Sequence, residues 1–226
     1  MIASSVDSHL ARVRLIDEKK FFSCSHKVID DYFAQFSHLM SSTPPELIFT
    51  ADETMLESTK INKVVIPNSI REYFEAAPPE FPHITAMCST NVFGNHLPLF
   101  IILKELKNIP PEIKILAETE QIYLASSPNG WMDRWAFLLW TICFIHWVDG
   151  FRAKLPSRIA SLTGLLIMDG HTSRENPLAL NLLRRKNFTV LILPAHCTHV
   201  LQLFDVGLAS PMKKHFTQQL HECLKK

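Results

Sequence analysis

Glycine is scarce in this sequence, and the glycines that occur form no phosphate-binding motif. Six glycines are spread over 226 residues, without the glycine-rich loop by which nucleotide-binding enzymes surround a phosphate. The five cysteines are odd in number, scattered and never spaced Cys-x-x-Cys, so neither a disulfide framework nor a zinc knuckle is indicated. The sequence argues against nucleotide-driven chemistry and favours a reducing compartment.

Long apolar runs are absent as well. The most apolar segment, Ala136–Val148, is shorter than the about 20 residues that a membrane-spanning helix needs, and it contains His146. At the N-terminus no apolar run follows a basic stretch, as a secretory signal would require. We therefore expect no membrane partner and interpret the apolar segment as a buried helix.

Charge is nearly balanced overall but unevenly distributed. Residues 1–149 carry 12 Lys or Arg and 18 Asp or Glu, whereas residues 150–226 carry 11 and 4. A basic region raises the local concentration of polyanions and suits a phosphate backbone. A solvated face that only aids solubility is an equally good interpretation. With 47% hydrophobic residues, the chain is long enough for one well-packed domain.

Hydrophobic periodicity predicts an α/β fold with a mixed sheet. The predicted elements are helix 26–40, strand 47–50, extended segment 63–66, hairpin 83–103 turning at Gly94-Asn95, helix 132–147, strand 165–168, helix 175–186, strand 190–193 and helix 206–224. Residues 108–120 form a loop or a short helix in this interpretation. An antiparallel hairpin followed by alternating strands and helices gives a mixed sheet with helices on its faces.

Three aspartates lie at the ends of predicted core elements. Asp52 follows strand 47–50, Asp169 follows strand 165–168, and Asp205 lies where the last helix begins. Functional groups collect beyond the carboxyl ends of strands in such sheets, and a buried carboxylate normally finds a cation. We interpret the three acids as a site for Mg²⁺ or Mn²⁺, which prefer oxygen ligands.

Two such ions, about 3.5–4 Å apart, would activate a water or a 3′-hydroxyl and stabilise the leaving oxygen of a phosphodiester displacement. Each acid alone has a structural alternative: Asp52 caps Glu53-Thr54, Asp169 begins a turn with Gly170, and Asp205 is a helix N-cap. If the three acids do meet, relief of like-charge repulsion predicts that Asp169→Asn leaves the metal-free melting temperature unchanged or higher.

Five stretches of the chain resemble the DDE superfamily of transposase and endonuclease domains, specifically its pogo, Tigger and jerky branch. They are ADETM around Asp52, the hairpin ITAMCSTNVFGNHLPLFIILK, Asn129-Gly130-Trp131, LLIMDGHTS around Asp169 and LPAHCTHVLQLFDVGLASPMKK around Asp205. The resemblance runs from about Val28 to Phe216. It implies an RNase H-like mixed sheet flanked by helices, with a helical lead-in or linker over residues 1–45 and a DDE-type (here DDD) catalytic domain over residues 46–226.

The resemblance also implies a function. Asp52, Asp169 and Asp205 correspond to the catalytic, metal-binding acids of the family, and the implied cofactor is two Mg²⁺ or Mn²⁺ ions. The implied activity is metal-dependent DNA cleavage and strand transfer in the nucleus. Transposition generally demands paired active sites, so a homodimer is expected.

The chain departs from the family pattern at several positions. Met55 stands where the family usually has glycine, Ser173-Arg174 where it has Ser-His, and Leu203-Phe204 where it has Pro-Leu. The helix-turn-helix modules that usually precede the catalytic domain are not predicted here. These departures keep a second function open, namely a domesticated, catalytically inactive DNA-binding remnant. A third alternative, an unrelated α/β metabolic enzyme, predicts an apolar pocket at the strand ends.

Other polar and aromatic residues were weighed against structural roles. His199 and Gln202 are predicted partners of the acids or of substrate phosphate, and Lys213 and Lys214 are predicted phosphate contacts, with a solvated helix face as the alternative. The set His171, His196, Cys197 and His199 has the residue types of a zinc site, but the family resemblance offers no zinc there. Four tryptophans would suit base stacking, but their placement in and beside the apolar helix predicts that they lie in the core: Trp131, Trp135, Trp140 and Trp147.

Overall fold

The computed structural model describes residues 25–56, 84–104, 109–195, 197, 201, 207 and 209–224. In chain order the helices, strands and 3-10 turns are α1 His26–Ser42, a 3-10 turn Pro45–Leu47, β1 Ile48–Leu56, β2 Ile84–Asn91, β3 Phe100–Lys104, α2 Pro111–Thr119, β4 Tyr123–Ser127, α3 Arg134–Arg152, α4 Ser157–Ala160, β5 Gly164–Met168, a 3-10 turn Thr172–Arg174, α5 Pro177–Arg185, β6 Phe188–Ile192 and α6 Ala209–Leu224. The predicted extended segment 63–66 lies outside the described residues.

The strands form one six-stranded mixed sheet in the order β4-β3-β2-β1-β5-β6. Strand β2 is antiparallel to both of its neighbours, and the remaining pairs are parallel. Because only β2 runs in the opposite direction, β1, β3, β4, β5 and β6 have their carboxyl ends at one edge. The predicted mixed sheet flanked by helices is confirmed.

The side chains of β1 alternate between the two faces of the sheet, as a strand buried on both sides requires. Phe49 and Ala51 join the larger core cluster, which includes the buried face of α3. Ile48 joins a second cluster with Tyr32 of α1, and Leu56 joins a third with Ala209 of α6. Helix α1 therefore packs against the sheet, although the predicted domain boundary at residue 45 separates it from the rest.

Local capping explains where the helices of the larger core begin. Asp133 accepts hydrogen bonds from the backbone N–H groups of Trp135 and Ala136, which fixes the start of α3. Asn176 caps α5 in the same way and also donates to the Arg134 carbonyl at 2.7 Å. The Asn176 side chain thereby joins the N-termini of α3 and α5.

The order of the predicted elements is confirmed, but several boundaries are wrong. Strand β1 continues to Leu56 instead of ending at Thr50, because its second half pairs with β2 as far as Ile84. Helix α3 runs to Arg152, five residues beyond the predicted end. Strand β4, at the edge of the sheet beside β3, was not predicted, since Tyr-Leu-Ala-Ser-Ser is short and lacks a strong apolar pattern.

The predicted hairpin is confirmed as β2 and β3, although its connection is longer than a two-residue turn. Gly94 has a φ of 79°, and its N–H bonds to the carbonyl of Asn91. The Asn91 side chain accepts from the N–H groups of Phe93 and Asn95. Strand β3 begins only at Phe100. Among the described helices, none is long and apolar enough to cross a bilayer.

Candidate active site

Asp52 and Asp169 each lie two residues beyond the last residue pair of two neighbouring parallel strands, β1 and β5. The pairing of β1 with β5 ends with Thr50 opposite Ile167, and two residues further along each chain come Asp52 and Asp169. Adjacent strands lie about 4.8 Å apart. The sequence-based expectation that Asp52 follows the end of its strand is wrong, because Asp52 lies within β1, but it does lie beyond the stretch that pairs with β5.

Asp52 is an almost fully buried carboxylate, with 7% of its surface exposed. Its Oδ1 accepts a hydrogen bond of 2.8 Å from the backbone N–H of Glu53. Across the antiparallel pair, Asp52 is opposite Cys88 of β2. Burial and, secondly, the negative charge of Asp52 raise the pKa of the Cys88 thiol to about 12. The neighbouring thiol therefore stays neutral and adds no charge beside the carboxylate.

Asp169 is paired with a buried arginine. Arg174 Nη2 donates to Asp169 Oδ1 at 3.0 Å, and Nη1 donates to Glu53 Oε1 at 2.6 Å and to Ser173 Oγ at 3.1 Å. Only 3% of the Arg174 side chain is exposed, and its guanidinium carbon lies 5.1 Å from the centre of the Phe137 ring. The guanidinium therefore bridges two carboxylates at the edge of the sheet.

This ion pair changes the expectation for Asp169→Asn. The sequence predicted that like-charge repulsion would dominate around Asp169, whereas the structure shows a cation in direct contact with it. Removing the carboxylate leaves a buried guanidinium with one fewer partner, which destabilises a protein.

Sequence reasoning missed both Arg174 and Glu53 as members of this site. In the sequence Arg174 is visible only as a departure from the family pattern, and Glu53 only as the residue after Asp52. The sequence does carry one signal: acids at 52, 53 and 169 lie at the ends of predicted strands, and buried acids require a cation.

Three of the predicted site residues, Asp205, His199 and Gln202, lie outside the described residues. The structure therefore describes two of the three predicted acids, Asp52 and Asp169. Within the described part of the chain, no group of three or more His, Cys, Asp or Glu side chains is placed to hold a metal ion. The three-aspartate site thus remains a prediction.

The donor atoms that the structure brings to this edge are of the type that Mg²⁺ and Mn²⁺ prefer. Asp52 and Asp169 supply hard carboxylate oxygens. Arg174 is the described residue that binds the Asp169 carboxylate, and it does so through Oδ1. The second oxygen of Asp169 is available as a metal ligand in this arrangement. In chemical type, the two acids fit a divalent cation that keeps part of its water shell.

Helix α6 brings the predicted phosphate-binding lysines near Asp52. Met212 of α6 contacts Cys88, the residue opposite Asp52, with 3.8 Å between the sulfur atoms. Lys213 and Lys214 follow directly, the first partly buried and the second exposed. Their position beside the candidate site is compatible with phosphate binding as well as with a solvated face.

The zinc alternative gains no support from the residues that are described. His171 Nδ1 lies 2.8 Å from Ser173 Oγ, and the same ring nitrogen caps the 3-10 turn by accepting from the Ser173 N–H. Cys197 is fully buried. His171 therefore has a local structural role at the turn that carries Arg174.

The tryptophans divide between core and surface. Trp140 is 1% exposed, and Trp147 packs against the core, as predicted. The same prediction is wrong for Trp131 and Trp135, which are 44% and 70% exposed. Trp135 precedes buried Ala136 and Phe137 in α3 and lies on the opposite side of the helix from the sheet, which the apolar sequence alone did not reveal.

The described residues contain a cavity of about 550 Å³ that lies away from the candidate site, at the other edge of the sheet. It is lined in part by Tyr123 at the start of β4 and by Trp147, Phe151 and Lys154 near the end of α3. These residues lie at the amino-terminal side of the parallel strands. This cavity is therefore not the apolar pocket at the strand ends that a metabolic enzyme would need.

Comparison with solved structures defines the class of fold. The chain resembles the Mos1 transposase in its paired-end complex with the left transposon end, with a TM-score of 0.59, 12% identity, and coverage of 98% of this chain and 58% of that one. It also resembles the mariner Mos1 paired-end complexes with Mn (TM-score 0.58) and with Mg (TM-score 0.56), again at 12% identity. Each of these alignments covers 98% of this chain and 59% of the Mos1 chain. The mixed sheet with its helices is thus the RNase H-like fold of that transposase.

A family comparison identifies the chain more closely. Residues 82–225 match the model of the DDE superfamily endonucleases, and the chain belongs to this family. Asp169 and Asp205 lie within the matched segment, and Asp52 precedes it. A stretch of 97 residues, 43% of this chain, is also 31% identical to the MFS-type transporter clz9 of Cochliobolus lunatus and covers 10% of that protein. The chain therefore spans less than two thirds of each of these relatives.

Proposed function

We propose that this chain is a transposase-derived, metal-dependent DNA endonuclease and strand-transfer domain. In this proposal Asp52, Asp169 and Asp205 hold the metal, and residues 46–226 form the catalytic domain. The chain belongs to the DDE superfamily endonucleases and has the fold of the Mos1 transposase. We assign it to the pogo, Tigger and jerky branch on the five stretches described above.

The observation that carries the proposal is the register of β1 with β5. Two acids, 117 residues apart in the chain, each lie two residues beyond the last pair of these adjacent parallel strands. Packing alone does not explain a carboxylate at both positions, because two neighbouring acids repel each other unless a cation lies near them. A divalent ion shared by Asp52 and Asp169 would add to the compensation that Arg174 already gives Asp169.

Each residue has a defined task in this proposal. Asp52 and Asp169 hold the metal through carboxylate oxygens, and Asp205, four residues before α6, completes the ligand set. A bound Mg²⁺ or Mn²⁺ pair would supply Lewis-acid stabilisation of the phosphoryl oxygens and a lowered pKa of bound water. His199 and Gln202 orient the acids or contact phosphate.

DNA is the proposed substrate, and helix α6 is proposed to hold its backbone. Lys213 and Lys214 would contact phosphates beside Asp52. The solved Mos1 complexes contain transposon-end DNA, and others contain Mn or Mg, which supports the same classes of partner and cofactor for this chain. Nuclear localisation and a homodimer that pairs two active sites complete the proposal.

Nicking of supercoiled plasmid DNA in the presence of Mn²⁺ tests this function. Asp169→Asn and Asp52→Asn should lower the nicking rate about 100-fold or more, since bound metal supplies several kcal/mol of transition-state stabilisation. Asp149→Asn is the matched control, because Asp149 is a half-exposed aspartate of α3 paired with Lys186. Equal nicking by the wild type and both site variants would refute the proposal.

A second function, a DNA-binding remnant without catalysis, is favoured by the ion pair between Arg174 and Asp169. A guanidinium that already neutralises a metal ligand reduces the need for metal. Salt-dependent DNA binding without Mn²⁺ binding would favour the remnant. In that case Lys213→Gln and Lys214→Gln should each reduce the slope of log K against log salt by about one.

A further inference from the structure

Arg174 is a buried cation shared between two acids of different strands. Its two terminal nitrogens reach Asp169 after β5 and Glu53 in β1, at 3.0 and 2.6 Å. The 3-10 turn that carries Arg174 is fixed by the His171 cap and packs against α3. The position of the guanidinium is therefore determined from several sides.

The environment of Arg174 is specific to a planar guanidinium. One face of the group lies over the Phe137 ring, and the fork of two nitrogens contacts one carboxylate on each side. A lysine ammonium is a point charge without this fork. The geometry of the pair thus depends on shape as well as on charge.

The contacts of Arg174 are not optimised for stability alone. Its Nε atom is buried and has no hydrogen-bond partner within the described part of the chain. A buried donor without a partner is destabilising. An arginine that is buried at this cost beside a candidate metal site points to a role in that site.

We propose that Arg174 is a positioning residue and built-in counter-cation of the metal site. It holds Oδ1 of Asp169, so that metal contact is restricted to the other oxygen, and it keeps the acids together when no metal is bound. This inference rests on the proposed function, because the metal is the one expected for that function.

Two opposite effects follow from this role. A fixed positive charge within a few ångströms of the ion weakens metal binding, and at an effective dielectric constant of about 20 the repulsion is sufficient for much more than a tenfold effect. The same contact fixes the orientation of Asp169, which favours the reaction once metal is bound. Affinity for metal and turnover should therefore respond to Arg174 in opposite directions.

Titration with Mn²⁺, followed by calorimetry and by the EPR signal of the free ion, measures the first effect without any reaction. Arg174→Gln should bind Mn²⁺ at least tenfold more tightly than the wild type. Arg174→Lys keeps the charge and should bind Mn²⁺ within about threefold of the wild type. Arg134→Gln is the matched control and should leave the affinity unchanged, because Arg134 is an exposed arginine paired with Glu175.

Plasmid nicking at saturating Mn²⁺ measures the second effect. Both Arg174→Gln and Arg174→Lys should lower kcat at least tenfold with little change in KM for DNA, since each loses the fork that orients Asp169. A merely structural arginine would lower thermal stability and would not raise the affinity for Mn²⁺. Unchanged or weaker Mn²⁺ binding by folded Arg174→Gln would overturn the inference.

Glu53→Gln provides a second route if Arg174→Gln does not fold, as judged by circular dichroism. This substitution leaves Asp52, Asp169 and Arg174 in place but removes the ion pair of Arg174 with Glu53. Asp169 is then the acid that remains paired with the guanidinium. Mn²⁺ affinity should then fall at least threefold, whereas Glu175→Gln should leave it unchanged. An unaltered affinity in Glu53→Gln would contradict the inference.

The same titrations separate this inference from the proposed function. Mn²⁺ binding by Arg174→Gln but not by the wild type would sink the metal-dependent function of the natural chain and support the counter-cation. Mn²⁺ binding that is insensitive to Asp52→Asn and Asp169→Asn would refute the proposed site itself. Failure of both the wild type and Arg174→Gln to bind Mn²⁺ would overturn both proposals.

Discussion

The sulfur atoms of Cys88 and Met212 lie 3.8 Å apart, and this contact joins strand β2 to helix α6 beside Asp52. The two residues belong to a small core cluster with Leu56, Ala86 and Ala209. Through this cluster a helix from the end of the chain is packed next to the first acid of the candidate site.

Cys88 should make the protein less stable in alkaline solution. Its thiol pKa is raised from 9.0 to about 12 in the folded state, so between these values the unfolded chain loses a proton that the folded chain keeps. Stability is then complete below pH 9 and falls as the pH rises toward 12. Urea unfolding between pH 8 and 11 should show a shallower decline in Cys88→Ala than in the wild type. Equal slopes would contradict the raised pKa.

Asp169→Asn should lower the stability of the metal-free protein. The substitution removes a charged hydrogen bond to buried Arg174, while Glu53 remains bound to the guanidinium, so we expect a loss of about 1–3 kcal/mol. Asp149→Asn, which breaks an exposed pair with Lys186, should cost less than about 1 kcal/mol. Thermal melts in EDTA measure the difference. If the melting temperature of Asp169→Asn is at or above that of the wild type, like-charge repulsion dominates around Asp169, as the sequence predicted.

Asn176 should stabilise the junction of α3 and α5 through two separate contacts. Its side-chain oxygen accepts from the N–H groups of Leu178 and Ala179, and its amide donates to the Arg134 carbonyl. Asn176→Ala loses both and should cost about 1–2 kcal/mol or slightly more. Asn176→Asp keeps the cap but loses the donor to Arg134. Chemical denaturation that finds Asn176→Ala as stable as the wild type would exclude this role.

The tryptophans of α3 should differ strongly in their contribution to stability. Trp140 is stacked on Phe137 with 5.5 Å between ring centroids and is fully buried, so Trp140→Ala should cost about 3–5 kcal/mol. Trp135 is largely exposed in the same helix, and Trp135→Ala should change stability by less than about 0.5 kcal/mol. Urea denaturation of the two variants gives the comparison. Similar losses of stability in the two variants would indicate that Trp135 also lies in the core.

Most secondary-structure elements could be predicted because their signals are local. The apolar run before Asp169 matches β5, and the steps of three and four residues around Tyr32 match α1. The end of β1 could not be predicted in this way, since the polar residues from Asp52 to Thr54 are kept in the strand by pairing with Cys88, Met87 and Ala86 of β2. Strand β4 was missed because its five residues lack a strong apolar pattern, and only their pairing with β3 shows that they form a strand.

The sequence by itself determined the class of the protein: a mixed α/β sheet, acids at the ends of predicted core elements, and motifs of a DDE superfamily endonuclease. Periodicity and motif spacing are properties of short segments, so they are readable without coordinates. Only the tertiary structure decided that Asp52 and Asp169 share a register, that α6 packs beside Asp52, and that Arg174 binds Asp169. The register of β1 with β5, the contact of Cys88 with Met212 and the bond from Arg174 to Glu53 join residues more than a hundred positions apart, so they depend on strand order and side-chain direction.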